Sequence, residues 1–550
     1  MKKNLICAFV VGLLTMCCGL GAKAEKPSFL VHAKSDGTIF TQITDNGEWG
    51  LTQPATEEAS GGTTIYNFNT NKKINFKVSG FSASCISEDG NIVYGNHGLK
   101  AAYYDRTTEK ITDLEMPTMN APAGNSIVNV TCELAMISAV SADGKWAVGT
   151  GRQTSASDCM IECGVLWDLT TGKVVALNNV PTLDMCHEDT FQCRFVDIND
   201  NGRYILGILS FSYIMPAQCC CFLYDTQTQS AEFIGFTPSD TEAWTPKAPN
   251  LFFVGGGKMS PDGTWITGAA YITAAGEFEA TYLYNTQTKE FVVYSDQNQD
   301  ANMVGMAVDN NGVVYAATPS DNPIREWYVR NNGYWYSFAQ ILTQAFGTTF
   351  KAETGLENTG TPRGVSADGS RFVLMCDPQF GENYFVDMHQ PIVNLCQSIN
   401  LLGNYSIEPK SGSVFTKLRE FLISFDRDVQ VVGSASDILL KDETGKLVRS
   451  ASAVQVKAGE KQAVLVSFRT TPLDAGKKYT VEVPAGIVAL ANDATKTNDA
   501  ITLTYTGRAD KALEVTKIYP AAGTSLQMID YGTSPVLITF DSPLKVAENA

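Results

Sequence analysis

A short phrase recurs along the first four hundred residues and limits the folds open to this chain. An Asp-Gly or Asn-Gly pair stands between two runs of β-forming residues seven times, and the glycines of these pairs are Gly47, Gly90, Gly144, Gly202, Gly263, Gly312 and Gly369. Both pairs accept the positive φ angles of a tight hairpin, so each predicts two antiparallel strands joined by a short turn. Two closely matched copies read "AVSADGKWAVG" at residues 139–149 and "GVSADGSRFVL" at residues 364–374.

A second hairpin pattern follows most of these turns. It consists of an aromatic residue with Asp or Asn, a Thr-rich turn and another β-forming run, as in "GVLWDLTTGKVVAL" at residues 164–177. Looser copies occupy residues 326–338 and 383–395. Two hairpins make a unit of four short strands, and the unit recurs about every 50 residues, which is typical of a β-propeller.

The repeat predicts how the units pack. One four-stranded sheet cannot bury both of its faces, whereas sheets arranged radially around an axis bury each other. We therefore predict an all-β fold with a seven-bladed β-propeller over residues 25–400, with six or eight blades as alternatives. The left-over segment "SFLVHA" at residues 28–33 is expected to add a strand that closes the ring.

The first 24 residues predict export. Lys2 and Lys3 precede an apolar stretch at residues 5–21, and Ala22-Lys23-Ala24 offers small residues for cleavage, as in a signal peptide. We expect the periplasm, the cell surface or the medium as location. A lipid anchor at Cys17 is the alternative. No later stretch is apolar for long enough to form a transmembrane segment.

The repeats resemble known families. The Ser-x-Asp-Gly turns, each followed by a strand that ends in Trp-Asp or Tyr-Asp, resemble extracellular repeats of the HAF type, and "SPDG" at residues 260–263 resembles the WD40-like repeat of TolB-like propellers. The resemblance covers residues 43–395. It implies an exported propeller and leaves the activity open.

The composition changes after residue 400. The segments "ISFDRDV" (423–429), "LDAGKKYTVEVPAGIV" (473–488) and "ITLTYT" (501–506) alternate apolar and polar residues, as in an antiparallel sandwich. They resemble bacterial Ig-like domains of the surface-layer (SbsA-like) type. The resemblance implies one Ig-like domain at residues 401–508 and the incomplete start of a second at residues 509–550, both serving as spacers.

The order of the turns predicts a ligand-binding face. The Asp-Gly and Thr-rich turns lie on one face of a propeller, so the long connections at residues 115–136, 178–194, 235–250 and 339–363 lie on the other. Such long loops are usually functional, and the last one is expected to contain a short helix. The candidate ligand-binding residues are Trp244, Tyr213, Trp327, Asp189 and Glu188, because aromatic rings stack on sugars and peptides and carboxylates bind polar groups.

The cysteines cluster in the third and fourth repeats. Three of the fourteen lie in residues 1–24, which leaves an odd number in the exported chain. An oxidising compartment favours disulfides, and Cys159–Cys163 and Cys186–Cys193 are the candidate pairs, although spacing does not determine connectivity. These cysteines and His187 are also zinc-ligand types, but their spacing matches no zinc module, so no metal is predicted.

The net charge of the chain and the lack of known catalytic motifs reduce the number of possible functions. A net charge of −17 argues against nucleic acid and anionic membranes as partners. The chain has no G-x-S-x-G, H-E-x-x-H or P-loop motif, so we assign neither catalytic residues nor a cofactor. The favoured function is binding of an extracellular glycan, peptide or protein. The alternative is a secreted glycoside hydrolase or lyase that uses carboxylates of the loop-rich face.

Overall fold

The structure is a computed structural model with two compact units, Met1–Ile399 and Asn400–Ala550. It describes residues 26–31, 38–54, 62–123, 126–154, 160–181, 191–211, 218–237, 245–246, 253–271, 279–294, 303–318, 326–357, 359–377, 382–508, 515–519 and 537–540. The predicted signal peptide and Cys17 lie outside the described residues. In the described part of the chain, no helix has the length and apolar character needed to cross a membrane.

The first unit begins with one strand, which joins the last sheet, and continues with two four-stranded antiparallel sheets. The strands are β1 (Ser28–Val31), then β2 (Thr38–Ile43), β3 (Trp49–Pro54), β4 (Thr64–Asn67) and β5 (Lys72–Asn75), then β6 (Phe81–Ile86), β7 (Ile92–His97), β8 (Lys100–Asp105) and β9 (Lys110–Asp113). Each sheet is a meander in which consecutive strands pair, as the two-hairpin pattern predicts.

A hairpin separates the second sheet from the third. It consists of β10 (Thr118–Ala123) and β11 (Ser126–Thr131). The third and fourth sheets comprise β12 (Leu134–Val140), β13 (Trp146–Thr154), β14 (Met160–Asp168) and β15 (Lys173–Val174), then β16 (Phe191–Ile198), β17 (Tyr204–Phe211), β18 (Gln218–Asp225) and β19 (Ser230–Phe233). A parallel bridge between Glu162 and Gln192 joins these two sheets.

The remaining sheets of the first unit follow the same plan. After the short pair β20 (Phe236–Thr237) and β21 (Thr245–Pro246) come β22 (Phe253–Met259), β23 (Trp265–Tyr271), β24 (Glu279–Asn285) and β25 (Phe291–Tyr294), then β26 (Val304–Val308), β27 (Val314–Ala317), β28 (Trp327–Asn331) and β29 (Tyr334–Ser337). The long connection then forms α1 (Phe338–Ile341), a π-helical turn (Leu342–Phe346) and α2 (Phe350–Thr354), which confirms the predicted helix. The last elements are β30 (Thr361–Val365), β31 (Arg371–Asp377), β32 (Glu382–Asp387) and α3 (Ile392–Ser398).

The seventh sheet is completed by the start of the chain. Its order is β1-β32-β31-β30, with Ser28 opposite Asp387, so the predicted closing strand is confirmed. The hairpin predicted over residues 383–395 is wrong in its second half, which forms α3 directly after Pro391. Proline has no N–H to give to a strand ladder, and its fixed φ suits the residue just before a helix.

The first and last sheets pack against each other. Phe40, Ile43, Tyr66 and Phe68 share one buried cluster with Val373 and Phe385. The sheets therefore form a closed ring, and the prediction of an all-β propeller is confirmed.

The inner strand of every sheet contains a β-bulge. The register slips between Phe40/Gln42, Ala83/Cys85, Ile137/Ala139, Phe195/Asp197, Gly255/Lys258, Gly305/Ala307 and Pro362/Gly364. A bulge leaves one residue of a strand unpaired and bends that strand. A Cβ on Gly149, opposite Ile137, would lie 1.8 Å from the carbonyl oxygen of Met136. This contact explains the glycine that ends the motif copy at residues 139–149.

The second unit is all-β. Its strands are β33 (Tyr405–Glu408), β34 (Val414–Phe415), β35 (Lys417–Phe425), β36 (Val429–Val431), β37 (Leu439–Asp442), β38 (Leu447–Ser450), β39 (Ala453–Lys457), β40 (Glu460–Pro472), β41 (Lys478–Val483), β42 (Val488–Leu490), β43 (Asp493–Thr497), β44 (Ile501–Gly507), β45 (Val515–Tyr519) and β46 (Leu537–Phe540), with a 3₁₀ turn at Ala435–Asp437. They form sheets β33-β35-β40-β39, β34-β44-β41-β37-β38 and β36-β42-β43. Burial alternates along β41 and β44, as the period-two pattern predicts. Beyond residue 508 only the antiparallel pair β45–β46 is described.

Candidate functional site

The recurring Ser-x-Asp-Gly turns are stabilised by hydrogen bonds of their own side chains. Ser141 Oγ donates to Asp143 Oδ1 at 2.7 Å and accepts from the Trp146 N–H at 3.1 Å. The turns that begin at Ser87, Ser260 and Ser366 repeat this pair of bonds. Serine and aspartate occupy these positions because their short side chains satisfy the backbone of the turn. Their oxygens are therefore structural.

The second position of several motif copies connects neighbouring sheets around the axis. The Ala367 N–H donates to the Asp45 carbonyl at 2.8 Å, and the Asp200 N–H donates to the Pro261 carbonyl at 2.8 Å. The Glu88 carboxylate accepts from the Asp45 N–H at 2.8 Å. These bonds lock the turns into a rim around the axis of the propeller.

A small cavity lies on this axis. Its volume is about 150 Å³, and every one of the seven sheets contributes residues from its first strand or the turn that follows. The lining is largely polar and contains Gln42, Ser84, Asp197, Lys258 and Arg363 among others.

Two carboxylates face each other at the rim of this axial cavity. Burial, and then the nearby charge of Glu88, raise the pKa of Asp45 well above its usual value. Burial also raises the pKa of Asp200, against the opposing effect of its hydrogen bond with Asp45. Asp200 Oδ1 is buried and meets no donor among the described residues while both groups are ionised. A proton on either carboxyl would relieve the repulsion within the pair and supply a donor between the two groups.

A larger cleft opens between the β10–β11 hairpin and the third and fourth sheets. Its volume is about 630 Å³, within the usual size of small-ligand sites. Met116, Met119, Val175, Leu177 and Val180 form much of its wall. None of the described residues that line it is aromatic. The wall is built from two of the long connections that the sequence assigns to the ligand-binding face.

The carboxylates of this cleft are already engaged. Glu162 is fully buried between two arginines: Arg152 Nη2 lies 2.7 Å from Oε1, and Arg194 Nε donates to Oε2. Glu115 accepts from the Val174 N–H at 2.8 Å and pairs with Lys173 at 3.4 Å, and the backbone bond lowers its pKa. Both carboxylates therefore already have ionic and hydrogen-bonding partners.

The cleft contains one described cysteine of each predicted disulfide pair, so both pairings stay predictions. Cys163 and Cys193 both line it as thiols, while Cys159 and Cys186 lie outside the described residues. The described thiol beside Cys163 is Cys132, to which it is hydrogen-bonded. Sequence reasoning missed this neighbour because Cys132 lies just before β12, and only the register of the sheet brings it to β14.

Of the five predicted ligand-binding residues the structure describes only Trp327, and its side chain lies in the core. Trp327 is fully buried, and its ring stacks on Phe338 with the centroids 4.2 Å apart. It belongs to the core beneath α1, since the apolar ring packs best where water is excluded. Tyr213, Trp244, Glu188 and Asp189 lie outside the described residues.

Comparison with known proteins gives fold similarity only. No protein-family model and no curated protein matches this chain. Among solved structures it is similar to an oligogalacturonate lyase in complex with manganese, with 11% identity and a TM-score of 0.42 over 67% of this chain and 98% of that chain. The propeller domain of the trilobed protease from Pyrococcus furiosus has 11% identity and a TM-score of 0.39, over 64% of this chain and 95% of that chain. TolB from Acinetobacter baumannii has 12% identity and a TM-score of 0.30, over 59% of this chain and 65% of that chain. Similarity at this level carries no argument about activity.

Proposed function

We propose that this chain is an exported binding protein whose propeller recognises a peptide segment of an extracellular partner through the cleft between the third and fourth sheets. The observation that supports it is the cleft of about 630 Å³, whose lining combines apolar side chains with polar groups. Sites of this size and make-up are typical of ligand-binding pockets.

The chemistry of the wall favours a peptide over a glycan. Sugar recognition usually relies on flat aromatic rings, and the described lining offers none. Methionine side chains such as Met116 and Met119 adapt to apolar side chains of different shape. The amide groups of Asn120 and Asn129 line the cleft and can bond to the polar backbone of a peptide, and the net charge of −17 favours a basic one.

Export and the spacer role belong to the same proposal. The signal-peptide pattern at residues 1–24 supports delivery outside the cytoplasm. The alternating strands of the second unit support an Ig-like spacer, which would hold the propeller away from a surface.

The proposal is tested by screening the full chain against a peptide library and measuring the affinity of the peptides it selects. Ala176 is exposed and lines the cleft, so Ala176→Trp fills the cleft without disturbing the core. We expect this change to weaken binding by about 10-fold or more. The matched control, Leu99→Trp, replaces an exposed residue of the β7–β8 turn and should leave the affinity unchanged. Equal affinity for both variants would place the peptide elsewhere.

One observation favours the alternative of a glycoside hydrolase or lyase. Asp45 and Asp200 form a facing carboxylate pair in a cavity, as acid–base chemistry requires. The pair lies at the Asp-Gly turns rather than on the predicted loop-rich face. A reducing-end assay with a panel of polysaccharides tests it. Turnover that Asp200→Asn abolishes would support the enzyme over the binding protein.

A further inference from the structure

We propose that the sulfur atoms of Cys132 and Cys163 form a binding site for a soft monovalent metal ion, Cu(I), at the inner end of the cleft. The proposal does not depend on peptide recognition, since it concerns the protein and the metal alone.

The sheet leaves a gap that brings the two sulfurs together. Gly151 in β13 stands opposite Cys163 in β14, and Cys132 approaches from the other side, just before β12. A Cβ on Gly151 would lie 2.8 Å from Cys132 Sγ and 3.0 Å from Cys163 Sγ. Only glycine leaves the space in which the two thiols meet and hydrogen-bond.

Further sulfur atoms surround the pair. Met119, Cys132 and Ile161 form one buried cluster, and Met116 and Cys163 pack against it. Thiolate and thioether ligands select Cu(I) over harder ions. In the described part of the chain, no group of three or more His, Cys, Asp or Glu residues could hold a metal ion. A divalent ion that needs three or more such ligands would not find them among these residues. Two thiolates, with the thioether of Met119 as a nearby third donor, match the low coordination number of Cu(I).

The site can be reached from the cleft, and two arginines lie close to it. Cys163 lines the open cleft, which gives the ion a route to it. On binding, two S–H bonds break, two Cu–S bonds form and two protons leave to solvent, with no change in oxidation state. The product carries one negative charge. Arg152, next to Gly151 in β13, and Arg194 bring positive charge close to the pair, and both also bond to Glu162.

The test is an anaerobic titration of the reduced full-length chain with Cu(I) in competition with a chromophoric Cu(I) chelator. We expect one tightly held ion per chain and an X-ray absorption spectrum with sulfur in the first shell. Cys163→Ser should weaken binding by more than about 100-fold, beyond the cost of a second-shell change. Gly151→Ala keeps every thiol but separates the pair, so it should weaken binding too.

The control is Cys396→Ala, which removes a buried thiol on α3 and should leave the affinity unchanged. Thermal unfolding of each variant without copper shows whether it is folded. Equal affinity of Cys163→Ser and the control, or nitrogen and oxygen ligands in the absorption spectrum, would overturn the proposal. So would a Cys132–Cys163 disulfide in protein isolated without reductant, because it leaves no thiolates for the ion.

Discussion

The rings of Phe68 and Phe385 stack with their centroids 3.7 Å apart and their planes 8° from parallel. Phe68 follows the third strand of the first sheet, and Phe385 lies in β32 of the last one. Both are buried. This contact joins the two ends of the ring, so the stability of the propeller depends on residues that are far apart in sequence.

Removing one ring at this junction should destabilise the whole propeller. Phe385→Ala is expected to lower the free energy of unfolding by about 3–5 kcal/mol, because it leaves a cavity and loses the stacking partner of Phe68. Chemical denaturation measures the effect. Leu99→Ala, at a residue that is 64% exposed, should change it by less than about 0.5 kcal/mol. A similar small change for both would show that the ends are not joined in this way.

The bulge in the third sheet predicts that an added methyl group is not tolerated. Gly149→Ala places a Cβ against the Met136 carbonyl, which belongs to the backbone and cannot rotate away. We expect a loss of about 3 kcal/mol or more, or no folded protein. Gly62→Ala is the matched control, since nothing lies within 4 Å of its Cβ. A thermal scan of soluble protein compares the two, and equal melting temperatures would contradict the bulge.

The raised pKa of Asp45 predicts a pH-dependent stability. The folded pKa of Asp45 is raised, so the folded state binds the proton more tightly than the unfolded chain. The free energy of unfolding should then fall as the pH rises from about 4, the unfolded pKa, towards the raised folded pKa. Asp45→Asn keeps a donor for Asp200 and carries no charge. It should be more stable than the wild type at pH 7 and no more stable at pH 4, as urea titrations at both values would show.

An exposed turn aspartate should behave in the opposite sense. Hydrogen bonds from Thr107 and Thr108 lower the pKa of Asp105 to about 2. The stability that Asp105 contributes is therefore present above about pH 4 and is lost as the pH falls towards 2. Asp105→Asn should destabilise the protein at pH 7 and have less effect at pH 2. If Asp45→Asn and Asp105→Asn shift stability in the same direction at pH 7, one of the two assignments is wrong.

The ion pairs of Glu162 with Arg152 and Arg194 should stabilise the folded chain beside the cleft. Glu162→Gln leaves Arg152 and Arg194 facing each other without a carboxylate between them. Removing one partner of a buried ion pair typically costs about 3 kcal/mol. Denaturant unfolding measures the loss. Glu357→Gln, which removes an exposed pair with Lys351, is the control and should cost less than about 1 kcal/mol. Equal small losses would mean that Glu162 is solvated in solution.

Local patterns were sufficient for much of the fold. The Asp-Gly turns, the alternating strands after residue 400 and the helix after Ser337 depend on the conformational preferences of neighbouring residues, and such preferences can be read along the chain. The strand predicted after residue 387 is the exception. Its place in the last sheet is taken by β1, which comes from the other end of the chain, and the segment itself forms α3.

The functional surfaces depended on contacts that no local pattern contains. Asp45 and Asp200 occupy a variable position of the motif and come together only because the ring closes around one axis. Cys132 meets Cys163 only through the register of three strands across Gly151, and Trp327 is buried only because α1 folds over it. The sequence by itself determined the strands and turns, since these are short-range; tertiary structure alone decided which side chains meet, since burial and charge are set by neighbours distant in sequence.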